Sequence, residues 1–163
     1  MKLSIKLYSS LVLALGCVLV GAQTTASCAV NPQGKESVRI VELTSGKKTV
    51  DLDHPFASGD DWLADFKIKL KNISDKTVIY VEIKFNFTEA SAAGNELSFT
   101  IELGNKPGAA TNKASMALKP RQAKNYLLNK TEYQALSAFV KERRKTSQLD
   151  KVEVEVASVL FAG

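Results

Sequence analysis

Few residues of this chain could do covalent or metal chemistry. Beyond residue 22 there is one histidine, His54, one cysteine, Cys28, and one methionine, Met116. A blue-copper site needs two histidines, a cysteine and usually an axial methionine. A structural zinc site needs a full set of nitrogen or sulfur ligands, and a hydrolytic triad needs a histidine held between a nucleophile and an acid. No G-x-S-x-G elbow is present. His54 is the only general-base candidate, and a lone loop histidine reads as one without catalytic duty. The chain is expected to be no enzyme and to carry no cofactor.

Binding chemistry has more candidates. Asp51, Asp53, Asp60 and Asp61, with Asp65 beyond them, cluster around "DHPFASGDDW". Calcium takes about six to eight oxygens, which such carboxylates and loop carbonyls could supply. Their spacing is not that of an EF-hand, and the same residues also read as a solvated acidic loop. Lys67, Lys69, Lys71 and Lys84 read as a basic stripe on an outward face. It could dock an anionic glycan, a cell-wall polymer or a lipid headgroup. Lysines on exposed strands also block unwanted strand pairing, and Glu82 interrupts this stripe. Trp62 with Tyr80 could stack a sugar, although tryptophan in such folds more often fills the core.

Charge and leader bound the setting. Lys2 and Lys6 precede an apolar run from Leu7 to Val20, and Val20-Gly21-Ala22 stands before Gln23. This is the pattern of a cleaved export signal, and the run is short of the roughly 20 residues of a spanning helix. Residues 1–22 are therefore expected to leave, and 23–163 to form one domain that is secreted or held in the periplasm or cell envelope. Losing Lys2 and Lys6 lowers the net charge from +5 to +3, too mild an excess for nucleic acid. Neither Cys17 nor Cys28 sits in a good lipid-attachment box, and Cys28 alone permits no internal disulfide. Asn72, Asn86 and Asn129 each begin a glycosylation sequon, which matters only in a eukaryotic host.

The elements that must position these residues are strands. Phe66, Ile68 and Leu70 alternate with Lys67, Lys69 and Lys71. Ile79, Val81, Ile83, Phe85 and Phe87 alternate with Tyr80, Glu82, Lys84 and Asn86. Each run has one apolar side, as a half-buried strand requires. Between them, Asn72-Ile73-Ser74-Asp75-Lys76 has the side chains of a turn, either a hairpin or a tight sheet-to-sheet corner. Further strands are expected at 37–43, 48–52, 97–103 and 152–161, with weaker candidates at 114–118 and 122–128. Loops are expected at 53–62, 88–95 and 104–113. Asn129 and Glu132 form a capping box, and Tyr133, Leu136, Phe139 and Val140 recur at helical spacing. That predicts a short helix over 130–143.

The strings "FKIKLKNISDKTVIYVEIKF" and "ALKPRQAKNYLL" resemble bacterial secreted proteins with immunoglobulin-like or fibronectin-III-like sandwiches, many of them uncharacterised. Leu70 to Lys76 matches their N-x-S-x-K turn. Leu118-Lys119-Pro120-Arg121-Gln122 matches their L-x-P-G-x turn, with Arg121 where glycine is usual. The resemblance implies a fold and assigns no catalytic residue.

The expectation is an all-β, antiparallel, immunoglobulin-like sandwich of about seven strands with one crossover helix. Its expected role is recognition of a protein or envelope partner. The alternative is a glycan- or small-ligand-binding domain using the 53–62 loop, with calcium assisting.

Overall fold

Nine strands and one helix lie within the residues that the computed structural model describes: 24–30, 37–52, 54–59, 61–87, 97–106, 116–144 and 151–163. In chain order they are β1 (Thr24–Val30), β2 (Val38–Ser45), β3 (Lys48–Thr49), β4 (Phe56–Ser58), β5 (Phe66–Asn72), β6 (Val78–Phe87), β7 (Leu97–Gly104), β8 (Ala123–Leu127), α1 (Lys130–Arg144) and β9 (Lys151–Phe161). One sheet has the order β4-β1-β9-β6-β7 and the other β3-β2-β5-β8. The strand pairs are antiparallel apart from β1 with β9.

The alternation decides which side of each strand is dry. Phe66, Ile68 and Leu70 from one sheet share a core with Val81, Ile83, Phe85, Phe87, Val152, Val154 and Val156 from the other. The Phe66 and Phe85 rings meet across the layers at 6.2 Å between centroids. Full burial of such a side chain contributes about 1.5–3 kcal/mol, so a core of this breadth can hold two layers without a covalent staple. Trp62, 6% exposed, extends it towards the acidic loop through edge contacts with Phe56 at 5.2 Å and Phe66 at 5.5 Å.

The corner after β5 is a sheet-to-sheet connection, because β5 pairs with β2 and β8 while β6 pairs with β7 and β9. Asn72 organises it from a fully buried position. Its Nδ2 donates to the carbonyls of Lys76 (2.8 Å) and Leu118 (2.9 Å), and its Oδ1 accepts from the Ser74 amide (2.9 Å) and hydroxyl (2.7 Å). Leu118 in turn exchanges backbone bonds with Val78 at the start of β6. One amide side chain thus saturates its hydrogen-bonding capacity where the chain changes layers.

Arg121 takes a positive φ of 65° in the turn before β8. The Gln122 amide closes that turn on the Lys119 carbonyl at 3.1 Å, with Pro120 in the position that favours its ring. Left-handed backbone costs a residue with a Cβ roughly 1–2 kcal/mol, and glycine escapes that cost while loosening the unfolded chain. Arg121→Gly is therefore expected to raise stability by about 0.5 kcal/mol, or the melting temperature by about 2 °C. Calorimetry checks this, and a lowered midpoint would contradict it.

The helix follows the expectation. The Glu132 amide donates to Asn129 Oδ1 and the Asn129 amide to Glu132 Oε2, both at 3.0 Å, and Leu136 and Val140 are buried. It carries the chain from β8 in one sheet to β9 in the other. Two strands lie where none is expected. β1 is a strand although its small residues show little alternation, because β9 offers it a parallel partner. β4 lies inside the expected 53–62 loop, paired with β1. The expected 48–52 strand shortens to β3, and Leu118 makes only an isolated bridge. Residues 1–22, 88–95 and 107–113 lie outside the described residues. Among the described residues no helix is long and apolar enough to cross a membrane.

Candidate recognition surface

The register places side chains on two outer faces. On the four-stranded sheet, Lys67 sits between Thr44 and Leu127, Lys69 between Glu42 and Asn125, and Lys71 between Arg39 and Ala123. Val41, at a bulge in β2, is also exposed there, at 45%, and Leu127 at 54%. Among the described residues this face has four cations, Arg39, Lys67, Lys69 and Lys71, against one carboxylate, Glu42. Glu42 pairs with Lys69 at 2.8 Å.

The outer face of the five-stranded sheet has the opposite balance. Tyr80, Glu82, Lys84 and Asn86 lie across from Gly104, Glu102, Thr100 and Ser98 of β7, and Glu153 and Glu155 flank them on β9. The strand alternation adds Lys151, and Lys106 lies over the Tyr80 ring at 5.7 Å, so among the described residues four carboxylates face three lysines. Part of this face is dry. Asn86 Nδ2 donates to Glu155 Oε1 (3.2 Å), Ser98 Oγ donates to Asn86 Oδ1 (2.8 Å), and Lys84 approaches Glu155 at 3.5 Å. Tyr80 is buried, its hydroxyl 3.0 Å from Glu102 and 3.2 Å from Glu82. Burial first, then those two carboxylates, push the Tyr80 phenol well above its ordinary range.

The expected basic stripe is therefore two unrelated sets: Lys67, Lys69 and Lys71 on one outer face, Lys84 on the opposite one. Local alternation reports that a lysine points outward; only strand pairing reports from which sheet. Trp62 and Tyr80 are not brought together as a platform, since Trp62 fills the core and Tyr80 lies on an outer face beneath neighbouring side chains. The amides of Asn72 and Asn86 are likewise buried and engaged, which leaves no open nitrogen for a glycan, whereas Asn129 is exposed as the helix cap.

In the acidic loop, exposed His54 Nδ1 lies 3.1 Å from the Leu52 carbonyl and 3.6 Å from Asp51. The Asp61 carbonyl receives the Ala64 amide at 2.8 Å. Asp53 and Asp60 lie outside the described residues, and no group of three His, Cys, Asp or Glu among the described residues is placed to hold a metal ion.

A second feature was not legible in the sequence. The last strands of the two sheets, β7 and β8, bound a groove of about 540 Å³, lined by Leu103, Gly104, Met116, Lys124, Tyr126 and Glu132 among others. The Tyr126 hydroxyl is buried and meets no hydrogen-bond partner among the described residues. Burial pushes its phenol up to about 12. A buried hydroxyl without a partner forfeits hydration, so Tyr126→Phe is expected to raise stability by about 1 kcal/mol near neutral pH. With the folded-state value above the ordinary 10, ionisation of Tyr126 favours the unfolded chain, so it leaves stability untouched below pH 10 and lowers it as pH climbs towards 12. Urea melts at pH 7 and pH 11 should show a smaller alkaline loss in the variant. An unchanged alkaline slope would place the titration elsewhere.

Comparison of the chain with protein families, with curated proteins and with solved structures finds no match.

Proposed function

We propose that this chain is an exported, non-catalytic module of immunoglobulin-like type that works by surface recognition. The observation that supports it is the outer face of the four-stranded sheet. It combines two exposed large aliphatic residues, Val41 and Leu127, with a concentrated positive charge, and it ends on the terminal strand β8. In the β5–β8 register, alternate β8 residues turn their backbone groups away from β5, and Ala123, Asn125 and Leu127 are exposed. Such an edge supports recognition through both backbone and side chains.

The test is a photoreactive residue at Asn125, compared with one at exposed Ala157 of β9, in the cells that make the protein. A discrete adduct, protein or lipid, from position 125 alone is expected. Silence at 125, or identical adducts from both positions, would remove this reading. A second reading, small-ligand binding, is favoured by the β7–β8 groove with its Tyr126 hydroxyl rather than by the acidic loop. Ligand-induced thermal shifts that vanish in Tyr126→Phe would support it.

A further inference from the structure

We infer that the outer face of the four-stranded sheet docks on an anionic lipid surface, with the acidic face turned away from it. This rests on the surface-recognition reading and names its partner.

The first argument is charge. Arg39, Lys67 and Lys71 make no ion pair among the described residues, and only Lys69 is offset, by Glu42. The opposite face holds Glu82, Glu102, Glu153 and Glu155 against Lys84, Lys106 and Lys151, a net negative balance among the described residues. The two sheets thus separate charge across the thickness of the molecule. A body polarised this way is oriented by a negative surface, its cations drawn in and its carboxylates pushed out.

The second is the chemistry between the cations. Lysines two apart on a strand stand about 7 Å from each other, which forms a flat lattice of point charges rather than a shaped pocket. Among the described residues no aromatic side chain lies on this face to stack a sugar ring; its non-ionic members are Thr44, Thr49, Val41, Leu127, Asn125 and Ala123. A hydrated polymer would leave Val41 and Leu127 in water. A lipid interface accepts both the ammonium groups and the aliphatic ones, as amphipathic membrane-surface helices show.

The experiment is co-sedimentation of the purified protein with vesicles of phosphatidylcholine containing 30% phosphatidylglycerol, and with phosphatidylcholine alone. The neutral vesicles measure any apolar contribution of residues 1–22, and the charge of Lys2 and Lys6 is common to every variant compared. Each surface cation is expected to raise partitioning about five-fold at low salt. K67E/K71E should therefore lower it by at least about 100-fold, whereas K130E/K151E, with the same change in net charge, should lower it far less. L127S should reduce the binding that survives added salt. All three variants alter exposed positions, and an unchanged melting temperature verifies their fold.

Equal binding to both vesicle types, or equal loss in the two charge-reversal proteins, would overturn the proposal. So would salt-sensitive binding to soluble polyglutamate without vesicle binding. So would self-association through the acidic face of a second copy, abolished by K67E/K71E. Any of these combined with a specific adduct from position 125 rejects the lipid partner and keeps surface recognition; the absence of that adduct rejects both.

Discussion

Ile83→Asp is expected to leave the chain unfolded in water, whereas Glu82→Lys, one residue earlier, should change stability by less than about 1 kcal/mol. Ile83 is 1% exposed, faces Ile101 and Val156 in the register, and lies in the shared core. Replacing it forfeits roughly 2–3 kcal/mol of apolar burial and places a carboxylate among aliphatic groups, where desolvation costs several kcal/mol more. A domain of this size commonly has about 5–15 kcal/mol in total. Glu82 points to the other side. The Tyr80 hydroxyl that approaches it at 3.2 Å has Glu102 at 3.0 Å as well, so losing Glu82 strands no donor. Glu82 and Glu102 are also direct cross-strand neighbours, and like charges so placed repel, so a lysine at 82 relieves some of that repulsion. Circular dichroism during urea titration separates the two outcomes. Equal damage from both would mean that the faces of β6 are assigned wrongly.

Asn72→Asp should cost about 3–5 kcal/mol although it changes almost no volume. The wild-type Nδ2 donates to two carbonyls, Lys76 and Leu118, in a fully buried position. A carboxylate would set a charged oxygen against both, with neither carbonyl satisfied. The loss reaches beyond the turn, because Leu118 is the segment that exchanges backbone bonds with Val78 where β6 begins. Ser74→Ala removes the hydroxyl's contacts with Asn72 Oδ1, the Lys76 carbonyl and the Lys76 amide that donates to it, and should cost about 1 kcal/mol. Chemical denaturation of both variants gives the ratio. Similar losses would show that Asn72 serves only its own turn.

The structure also explains which parts of the molecule could be read from residues alone. β5, β6 and the helix were legible because their signals are local: a period of two, a period near four and a reciprocal cap all act within a few residues. β1 was not, because "TTASCAV" has small side chains on both sides and becomes a strand by pairing with residues 151–154, far along the chain. Asn72 and Asn86 read as surface residues by type. They are buried because partners distant in sequence, Leu118 and Glu155, saturate them. The β7–β8 groove had no signal at all, since it exists only where the last strands of two sheets stand apart.

The sequence by itself determined that alternate residues of the central strands would be dry, that 72–76 would turn, and that a capped helix would follow Asn129. These are choices made by neighbouring atoms along one chain. Tertiary structure decided that the turn changes layers, that Lys84 parts company with Lys67 and Lys69, and that cations gather on one outer face while carboxylates gather on the other. Those outcomes depend on which strands pair, and pairing is settled by burying the summed apolar surface of segments more than a hundred residues apart, a quantity that no local window contains.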